Sequence, residues 1–349
     1  MTFALVVPGD LNTPTGGYAY ARRMLKELTA LGRDIELIDI GNEFPRPSAA
    51  TRVAVRRRLA AIPPATPIVI DGLAFGALDD VAEALGDSHR LVALVHHPLA
   101  LETGLPADEA EALRRSERAA LAHVRHVIAT SATTARLLAA EYGVAPDAIT
   151  VAPPGTDEAA LAVGSSDGIV RLLSVGAVVP RKGFDVLVAA LAQLPRDLPW
   201  RLALVGDRTR DDATVAALDA DIARHELTDR ILCTGAVSNE QLEAFYRAAD
   251  VFVLASRFEG YGMAFTEALA RGLPLIGTTA GAIPQTVPAG AGVLVPPDDP
   301  KALAMALGEL IENPRQRRAL RDAARAAATA LPRWQESAKI FAAAVERVR

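Results

Sequence analysis

Two glutamates on either side of a glycine-bearing turn carry the clearest chemical signal in this chain. Residues 256–274 read SRFEGYGMAFTEALARGLP, with seven residues between Glu259 and Glu267. An apolar run at 251–254 precedes them, and a helix-forming stretch follows. The pattern predicts a strand, a turn and a helix whose first amides attract phosphate. Glycine permits close approach of an anion, and Glu267 can accept hydrogen bonds from sugar hydroxyls. The segment therefore predicts a site for a nucleotide that bears a sugar.

The same pair of glutamates could serve a retaining glycosidase, whose carboxyl groups lie only ~5 Å apart. Eight residues of mostly helical chain rise ~12 Å, so the spacing favours two contacts along an elongated ligand instead. Taken alone, the pair could also be two solvated charges on a helix. The strand and the glycine turn in register with them favour ligand binding.

A second candidate is the cationic pair Arg181-Lys182, which lies between Pro180 and Gly183 after one strand-like run and before a helix-like one. A nucleoside diphosphate gains negative charge as it departs, and a fixed cation stabilises that charge. The chain has only four lysines, Lys26, Lys182, Lys301 and Lys339. Two solvated loop charges are the alternative, but the position before a helix favours phosphate binding.

The first half of the chain offers two further candidates at strand ends. Gly16-Gly17 follow the first apolar run and open a helical pattern, where a phosphate or a sugar ring can bind; a plain tight turn is the alternative. The dinucleotide motif G-x-G-x-x-G is absent there. His96 and His97 follow the run LVALV, at the end of a strand where α/β active sites form. A neutral imidazole can accept a proton or orient a hydroxyl.

Short apolar runs must position these residues, and they alternate with helical patterns along the 349 residues. The predicted strands are 3–8, 34–40, 67–71, 90–96, 126–130 and 148–152, then 169–176, 201–206, 230–235, 250–255, 274–277 and 292–295. Such runs are typical of parallel strands buried on both faces. We therefore expect an α/β protein with two Rossmann-like, doubly wound domains.

The expected domains are an N-terminal Rossmann-like domain at 1–160 and a nucleotide-sugar domain at 168–330, with an amphipathic helix at 332–349. Proline and glycine clusters at 153–168 mark the boundary. Ligands of such folds bind beyond the carboxyl ends of the strands, so we expect the active site in a cleft that the two domains face.

Composition excludes several classes of function. A net charge of −5 gives no electrostatic support for nucleic-acid binding, and the single cysteine cannot form an internal disulfide. The first residues lack the basic region of a signal peptide, and no apolar run approaches the ~20 residues that span a bilayer. We expect a cytoplasmic protein. Five arginines within 45–64 suggest peripheral contact with the inner membrane face or, alternatively, a solvated charged surface.

The chain resembles the retaining glycosyltransferases of the GT-B fold, specifically family 4 (glycosyl transferases group 1). The resemblance covers nearly the whole chain and is strongest at 172–190, with SVGAVVPRKGFDVLVAAL, and at 255–288, with SRFEGYGMAFTEALARGLPLIGTTAGAIPQTV. It implies that Glu259 contacts the donor sugar and Glu267 the nucleotide ribose. It also implies that the turn between them holds phosphate and sugar through Gly260, Tyr261, Gly262 and Met263.

The resemblance implies further donor contacts from loops that end other strands. Gly16 and Gly17 would lie against the donor diphosphate, and the loops at Gly206 and Val237 would surround the base and the sugar. His96 fits the family's active-site histidine better than His97 does.

Two other features of the resemblance concern a helix and a cation. The final helix, which opens near Trp334, would cross back onto the N-terminal domain. Many members have an arginine directly after the glycine equivalent to Gly176, but this chain has Ala177. Either Arg181 takes that role or Lys182 acts without a second cation.

The implied activity is retaining, hexosyltransferase-like transfer from a nucleoside-diphosphate sugar to a hydroxyl of a sugar, lipid or small-molecule acceptor. We expect no cofactor and no essential metal, because no D-x-D motif follows a strand-like run. A GT-B-type epimerase or phosphorylase and a non-enzymatic two-domain sugar-binding protein are the alternatives. The base, sugar, acceptor, linkage and oligomeric state stay open.

Overall fold

The computed structural model describes residues 2–348 and divides them into two compact units. The N-terminal unit comprises residues 2–155 and 332–348, and the C-terminal unit comprises residues 156–331. Each unit is built on one six-stranded sheet in which every paired neighbour is parallel. This architecture confirms the predicted fold class of two Rossmann-like α/β domains.

The N-terminal unit alternates strands and helices and is completed by the last helix of the chain. Its strands are β1 (Thr2–Val7), β2 (Asp34–Asp39), β3 (Pro67–Asp71), β4 (Arg90–Val95), β5 (His126–Ala129) and β6 (Ile149–Val151). Its helices are α1 (Gly16–Ala30), α2 (Ala49–Ala60), α3 (Gly72–Phe75), α4 (Asp79–Leu85), α5 (Ala107–Leu121), α6 (Ala132–Glu141) and α14 (Trp334–Glu346).

The C-terminal unit repeats the scheme. Its strands are β7 (Val170–Val175), β8 (Trp200–Val205), β9 (Ile231–Gly235), β10 (Val251–Val253), β11 (Leu275–Thr278) and β12 (Gly292–Val295). Its helices are α7 (Phe184–Leu191), α8 (Asp212–Arg224), α9 (Asn239–Ala248), α10 (Met263–Ala270), α11 (Ile283–Thr286), α12 (Pro300–Glu312) and α13 (Pro314–Ala328).

Strand order determines where each unit can bind a ligand. The N-terminal sheet runs β2-β1-β3-β4-β5-β6, and the C-terminal sheet runs β12-β11-β10-β7-β8-β9. In the first sheet, β2 lies on one side of β1, and the strands from β3 onward lie on the other side. In the second sheet, β8 and β9 lie on one side of β7, and the strands from β10 onward lie on the other side, so the order of strands reverses at β1/β3 and at β7/β10. Doubly wound sheets bind ligands beyond the carboxyl ends of the strands at such a reversal. The segments after β7 and β10 are therefore neighbours, although β8 and β9 lie between them in sequence.

Buried aliphatic strands supply the core of each unit. β3, β5, β10 and β11 are buried along their whole length, as the continuous apolar runs predict. The predicted strand 250–255 is shorter in the structure and spans Val251–Val253. The predicted strand 90–96 ends at Val95, which places His96 directly beyond the carboxyl end of β4.

One buried acid was not predicted. Glu117 of α5 is 1% exposed, and its Oε2 accepts a hydrogen bond from the Leu99 amide at 2.9 Å. Its Oε1 has no hydrogen-bond partner within residues 2–348. Burial raises the pKa of Glu117 to about 8, although the Leu99 amide and the Arg114 charge act in the opposite direction. The acid is therefore protonated in the folded protein at neutral pH.

Glu117→Gln should flatten the pH dependence of stability. The folded pKa exceeds the unfolded value of 4.5, so the wild type loses stability as pH rises from about 4.5 to about 8. The free energy of unfolding falls by at most ~1.4 kcal/mol per pH unit. Urea unfolding at pH 5 and pH 8 measures it. The exposed Glu111→Gln on the same helix should retain the wild-type slope, and an equally steep slope in Glu117→Gln would contradict the prediction.

Candidate nucleotide-sugar site

A buried carboxylate with two cationic partners forms the centre of the candidate site in the C-terminal unit. Lys182 Nζ lies 2.7 Å from Glu259 Oε1, and an Arg181 guanidinium nitrogen lies 3.2 Å from Glu259 Oε2. The side chains of Glu259, Lys182 and Arg181 are 8%, 15% and 17% exposed. The structure thus brings together three predicted site residues from the loops after β7 and β10.

The charges of Lys182 and Arg181 determine the protonation state of Glu259. Burial alone would raise the pKa of Glu259, but the charges of Lys182 and Arg181 outweigh burial and lower the pKa to about 2. Glu259 is therefore ionised throughout the physiological range and cannot donate a proton as a general acid. Two cations and one carboxylate leave a formal net charge of +1, which suits an anionic ligand.

Hydrogen bonds fix the Glu259 loop from behind. The Ser256 hydroxyl donates to Glu259 Oε1 at 2.7 Å, and the Thr278 hydroxyl donates to the Ser256 carbonyl oxygen at 2.6 Å. The Ala282 amide donates to the Glu259 carbonyl oxygen at 2.9 Å. Ser256 and Thr278 are almost fully buried. The carboxylate is therefore held in place before any ligand arrives.

A second set of contacts joins the loops after β7 and β10. The Arg257 amide donates to the Arg181 carbonyl oxygen at 2.8 Å, and the Arg257 guanidinium donates to Pro180 and pairs with Asp185. Gly183 has a φ of 65°, and a Cβ there would lie 2.1 Å from the Ala255 carbonyl oxygen. Only glycine allows these two loops to approach so closely.

Helix α10 begins directly after Glu259 and its turn. Gly262 has a φ of 93° and precedes the first helical residue, Met263, without any side-chain cap. Helix α7 likewise begins directly after a glycine, Gly183, with no side-chain cap, whereas α1, α9 and others are capped by a hydroxyl or carboxylate. The amino ends of α7 and α10 thus combine helix-dipole charge with the Lys182 and Arg181 charges.

Glu267 lies one turn further along α10, in a network different from that of Glu259. The Tyr246 hydroxyl of α9 donates to Glu267 Oε2 at 3.0 Å. Arg271 donates to the Glu267 carbonyl oxygen at 2.8 Å and lies over the Tyr246 ring. Burial raises the pKa of Glu267, while the Tyr246 hydrogen bond and the Arg271 charge lower it. The two glutamates thus have different hydrogen-bond partners.

Tyr246→Phe should weaken donor binding more than it slows turnover. The change removes the hydrogen bond that orients Glu267 and leaves its carboxyl group with less stabilisation. Losing one hydrogen bond corresponds to a roughly tenfold higher KM for the donor. Steady-state kinetics at varied donor concentration measures this. Tyr142→Phe, which removes a buried hydroxyl with no hydrogen-bond partner within residues 2–348, is the matched control. An unchanged donor KM would remove the role assigned to Tyr246.

The other predicted donor contacts lie near the same edge of the C-terminal sheet. Gly206 follows β8, and its amide donates to the Gly235 carbonyl oxygen at 3.0 Å. Val237 is partly buried between β9 and α9, whose N-cap is Ser238. Gly260 is buried in the turn before α10, whereas Tyr261 is partly buried, and burial raises its pKa to about 12.

The N-terminal unit has its own constellation at the corresponding edge. Gly16 and Gly17 are the first residues of α1, which Thr15 caps through the Tyr18 amide. His96 Nε2 lies 3.3 Å from the buried Asp71 carboxylate, and a Cβ on Gly17 would lie 3.5 Å from the His96 ring. Three strand ends, those of β1, β3 and β4, meet here.

His97 and its neighbours occupy the loop beyond β4. His97 Nε2 lies 3.4 Å from a Glu102 carboxylate oxygen, and both side chains are partly or largely exposed. His96, in contrast, lies against Asp71 and Tyr20. The two histidines thus have different partners, and only His96 packs on the glycine-bearing start of α1.

Several residues of these constellations were missed at the sequence level. Asp71 ends the apolar run PIVID, and an acidic residue at the end of a buried strand is a signal that was available. Ser256 lies three residues before Glu259, directly after the apolar run that predicts the strand. No sequence pattern marks Tyr246 or Thr278 as part of a site. The contact of Tyr246 depends on how α9 packs, and the contact of Thr278 depends on where β11 lies.

The arginines of the 45–64 segment are partly engaged within the N-terminal unit. Arg46 pairs with Glu109, Arg52 pairs with Asp79 and Asp80, and Arg58 donates to the Asp39 carbonyl oxygen. No helix among residues 2–348 has the length and apolar character needed to cross a membrane. In the same residues, no group of three or more His, Cys, Asp and Glu side chains is arranged to hold a metal ion.

Comparison with known proteins defines the class. Residues 162–327 match the family model described as Glycosyl transferases group 1, and residues 80–160 match the one described as Glycosyltransferase Family 4. The fold is similar to that of a sucrose-phosphate synthase from Thermosynechococcus elongatus, with a TM-score of 0.82 and 23% identity over 99% of this chain and 98% of that one. HepE from Anabaena in complex with UDP-glucose gives a TM-score of 0.80 with 18% identity over 99% and 100% of the two chains. The fold is GT-B.

The similarity in sequence points to one family within that class. The chain is 27% identical over 271 residues to the MMP alpha-(1->4)-mannosyltransferase of Mycolicibacterium hassiacum. The matched region covers 74% of this chain and 65% of the relative. It spans about half the length of the D-inositol 3-phosphate glycosyltransferases that it also matches. The chain belongs to glycosyltransferase family 4, as its resemblance at 172–190 and 255–288 implied.

Proposed function

We propose that the protein is a retaining glycosyltransferase that moves a sugar from a nucleoside-diphosphate sugar to an acceptor hydroxyl. The observation that carries the proposal is the buried Lys182–Glu259–Arg181 cluster at the reversal point of the C-terminal sheet. A diphosphate bound there meets two cations and the amino ends of α7 and α10. The relatives named as mannosyltransferase and glycosyltransferases, and the neighbour solved with UDP-glucose, support the same substrate class.

Each predicted residue has a role in this reaction. Lys182, helped by Arg181 and the turn at 260–263, stabilises the departing diphosphate. Glu259 accepts hydrogen bonds from donor-sugar hydroxyls, Glu267 binds the ribose, and His96 contacts the transferring sugar. From the family resemblance, we assign Gly16, Gly17, Gly206 and Val237 to donor binding.

The mechanism we propose is attack from the face that the diphosphate leaves. The bond from the anomeric carbon to the phosphate oxygen breaks, the bond to the acceptor oxygen forms, and the acceptor proton passes to the departing phosphate. Glu259 is unsuited to act as a nucleophile, because Lys182 and Ser256 engage Oε1 and Arg181 engages Oε2. The two cations supply charge stabilisation of the kind a metal ion provides, so we expect transfer to persist with a chelator present.

Thermal unfolding with UDP-, GDP- and ADP-sugars tests the proposal first, because a bound donor raises the apparent stability. Proton NMR of the product then reads the anomeric configuration. Retention is expected, and an inverted product would refute the mechanism. Turnover of donor to an epimer without any acceptor would indicate an epimerase, and stabilisation without turnover of any donor and acceptor would indicate a binding protein.

A further inference from the structure

A hydrogen bond between a buried carboxylate and His96 joins the ends of two neighbouring strands in the N-terminal unit. Asp71 is the last residue of β3, and His96 directly follows β4. The Asp71 Oδ2 atom lies 3.3 Å from His96 Nε2, and the two side chains are 5% and 21% exposed. An ionised carboxylate can only accept hydrogen bonds, so this contact requires a proton on Nε2.

The imidazole ring is held on two further sides. The Tyr20 ring meets it edge to face, with centroids 5.3 Å apart. The Tyr20 hydroxyl is already committed, since it donates to the Ala152 carbonyl oxygen at 2.9 Å. The start of α1 lies against the ring as well, because a Cβ on Gly17 would be 3.5 Å from both Cδ2 and Nε2 of His96. The ring therefore has a defined position next to the glycine-bearing helix start.

The backbone of His96 is fixed as firmly as its ring. The hydroxyls of Thr130 and Thr134 both donate to the His96 carbonyl oxygen at 3.2 Å. Within residues 2–348, no atom makes a hydrogen bond to His96 Nδ1. Position and tautomer are thus determined by the protein, while the second ring nitrogen is left for a ligand.

We propose that Asp71 is a positioning residue that holds His96 in the Nε2–H tautomer, so that Nδ1 accepts a hydrogen bond from a hydroxyl of the sugar substrate. This inference rests on the proposed function for the role of His96. Asp71 also caps α3, since its Oδ1 accepts from the Leu73 amide at 2.9 Å. That contact uses the other carboxylate oxygen and leaves Oδ2 for the imidazole.

The substitution Asp71→Asn tests the tautomer with little change of shape. The Leu73 amide requires an oxygen, so the asparagine amide nitrogen must take the position of Oδ2 and face His96. A donor there favours a lone pair on Nε2 and moves the proton to Nδ1. Long-range proton–nitrogen NMR at about pH 9 reads the tautomer directly. His96→Gln identifies the signal among the six histidines.

The expected result is Nε2–H in the wild type and Nδ1–H in Asp71→Asn. In Asp71→Asn, Nδ1 of His96 can no longer accept a hydrogen bond from the sugar hydroxyl. The kcat/KM for transfer should therefore fall roughly tenfold to a hundredfold, the loss expected for one hydrogen bond. Asp39→Asn is the matched control. Asp39 ends β2 and caps the Gly9 and Gly41 amides without touching a histidine, so its substitution should leave the His96 tautomer unchanged.

An Nδ1–H signal in the wild type, or an unchanged tautomer in Asp71→Asn, overturns the proposal whatever the activity does. If Asp71→Asn fails to fold, the wild-type spectrum alone decides, because only Nε2–H agrees with the proposal. If no donor is ever turned over, the proposed function fails, while the tautomer measurement still decides the role of Asp71.

Discussion

Lys182→Ala should lower kcat/KM for sugar transfer by roughly 10²–10³, the loss typical of removing one group that stabilises transition-state charge. The lysine is well placed for this role. Its Nζ lies 2.7 Å from Glu259 Oε1, and its stem crosses Gly176, where a Cβ would lie 3.1 Å from Lys182 Cε. Initial rates at saturating acceptor measure the loss.

The control for this substitution is Lys301→Ala, in the same unit, on the exposed first turn of α12. It should transfer sugar at the wild-type rate. Lys182→Arg should recover part of the loss, because the charge remains but the guanidinium geometry differs. Circular dichroism confirms folding of each variant. A folded Lys182→Ala protein with near wild-type kcat/KM would refute the role of Lys182 in stabilising the leaving group.

Glu259→Gln should separate two properties that are usually lost together, the binding of the diphosphate and the transfer of the sugar. Removing the carboxylate raises the formal charge of the cluster from +1 to +2. Nucleoside diphosphate should therefore bind at least about tenfold more tightly at low salt, and the gain should shrink as salt is added. Sugar transfer should fall by roughly a hundredfold, because the sugar hydroxyls lose a charged acceptor.

Calorimetric titration with the nucleoside diphosphate and with the intact donor measures the first effect, and initial rates measure the second. Glu226→Gln is the control, because Glu226 pairs with Arg196 on the surface of the same unit and lies outside the cluster. Weaker diphosphate binding in Glu259→Gln, or transfer at the wild-type rate, would contradict the assignment. Since the pKa of Glu259 is about 2, loss of activity between pH 4 and pH 7 cannot come from its protonation.

The sequence alone predicts those parts of the site that lie within one motif or at one strand end. Glu259, its turn and the start of α10 lie in a contiguous segment, and glycine positions and helix periodicity can be read there directly. The meeting of Lys182 with Glu259 follows from strand order, since β7 and β10 are adjacent. The family resemblance implied this meeting, because it assigns both residues to the donor.

Contacts that depend on packing between distant elements were not predictable from one sequence. Tyr246 looks like any apolar position on α9 until α10 brings Glu267 to its hydroxyl. Glu117 lies in a helix rich in charged residues and has the sequence context of a solvated acid, yet it is buried. Asp71 looked like the end of a strand, and only the neighbouring strand end supplies its histidine.

The discontinuous N-terminal unit has a consequence for synthesis on the ribosome. Its last helix, α14, packs against α1, and Phe341 lies 6.3 Å from Phe3 between ring centroids. Trp334 likewise packs beside Tyr20. Residues 2–155 can therefore complete their packing only after residues 332–348 have been synthesised, and residues 156–331 emerge in between. Until then the nascent chain presents an uncovered apolar face, and it should be a better chaperone client than the released protein.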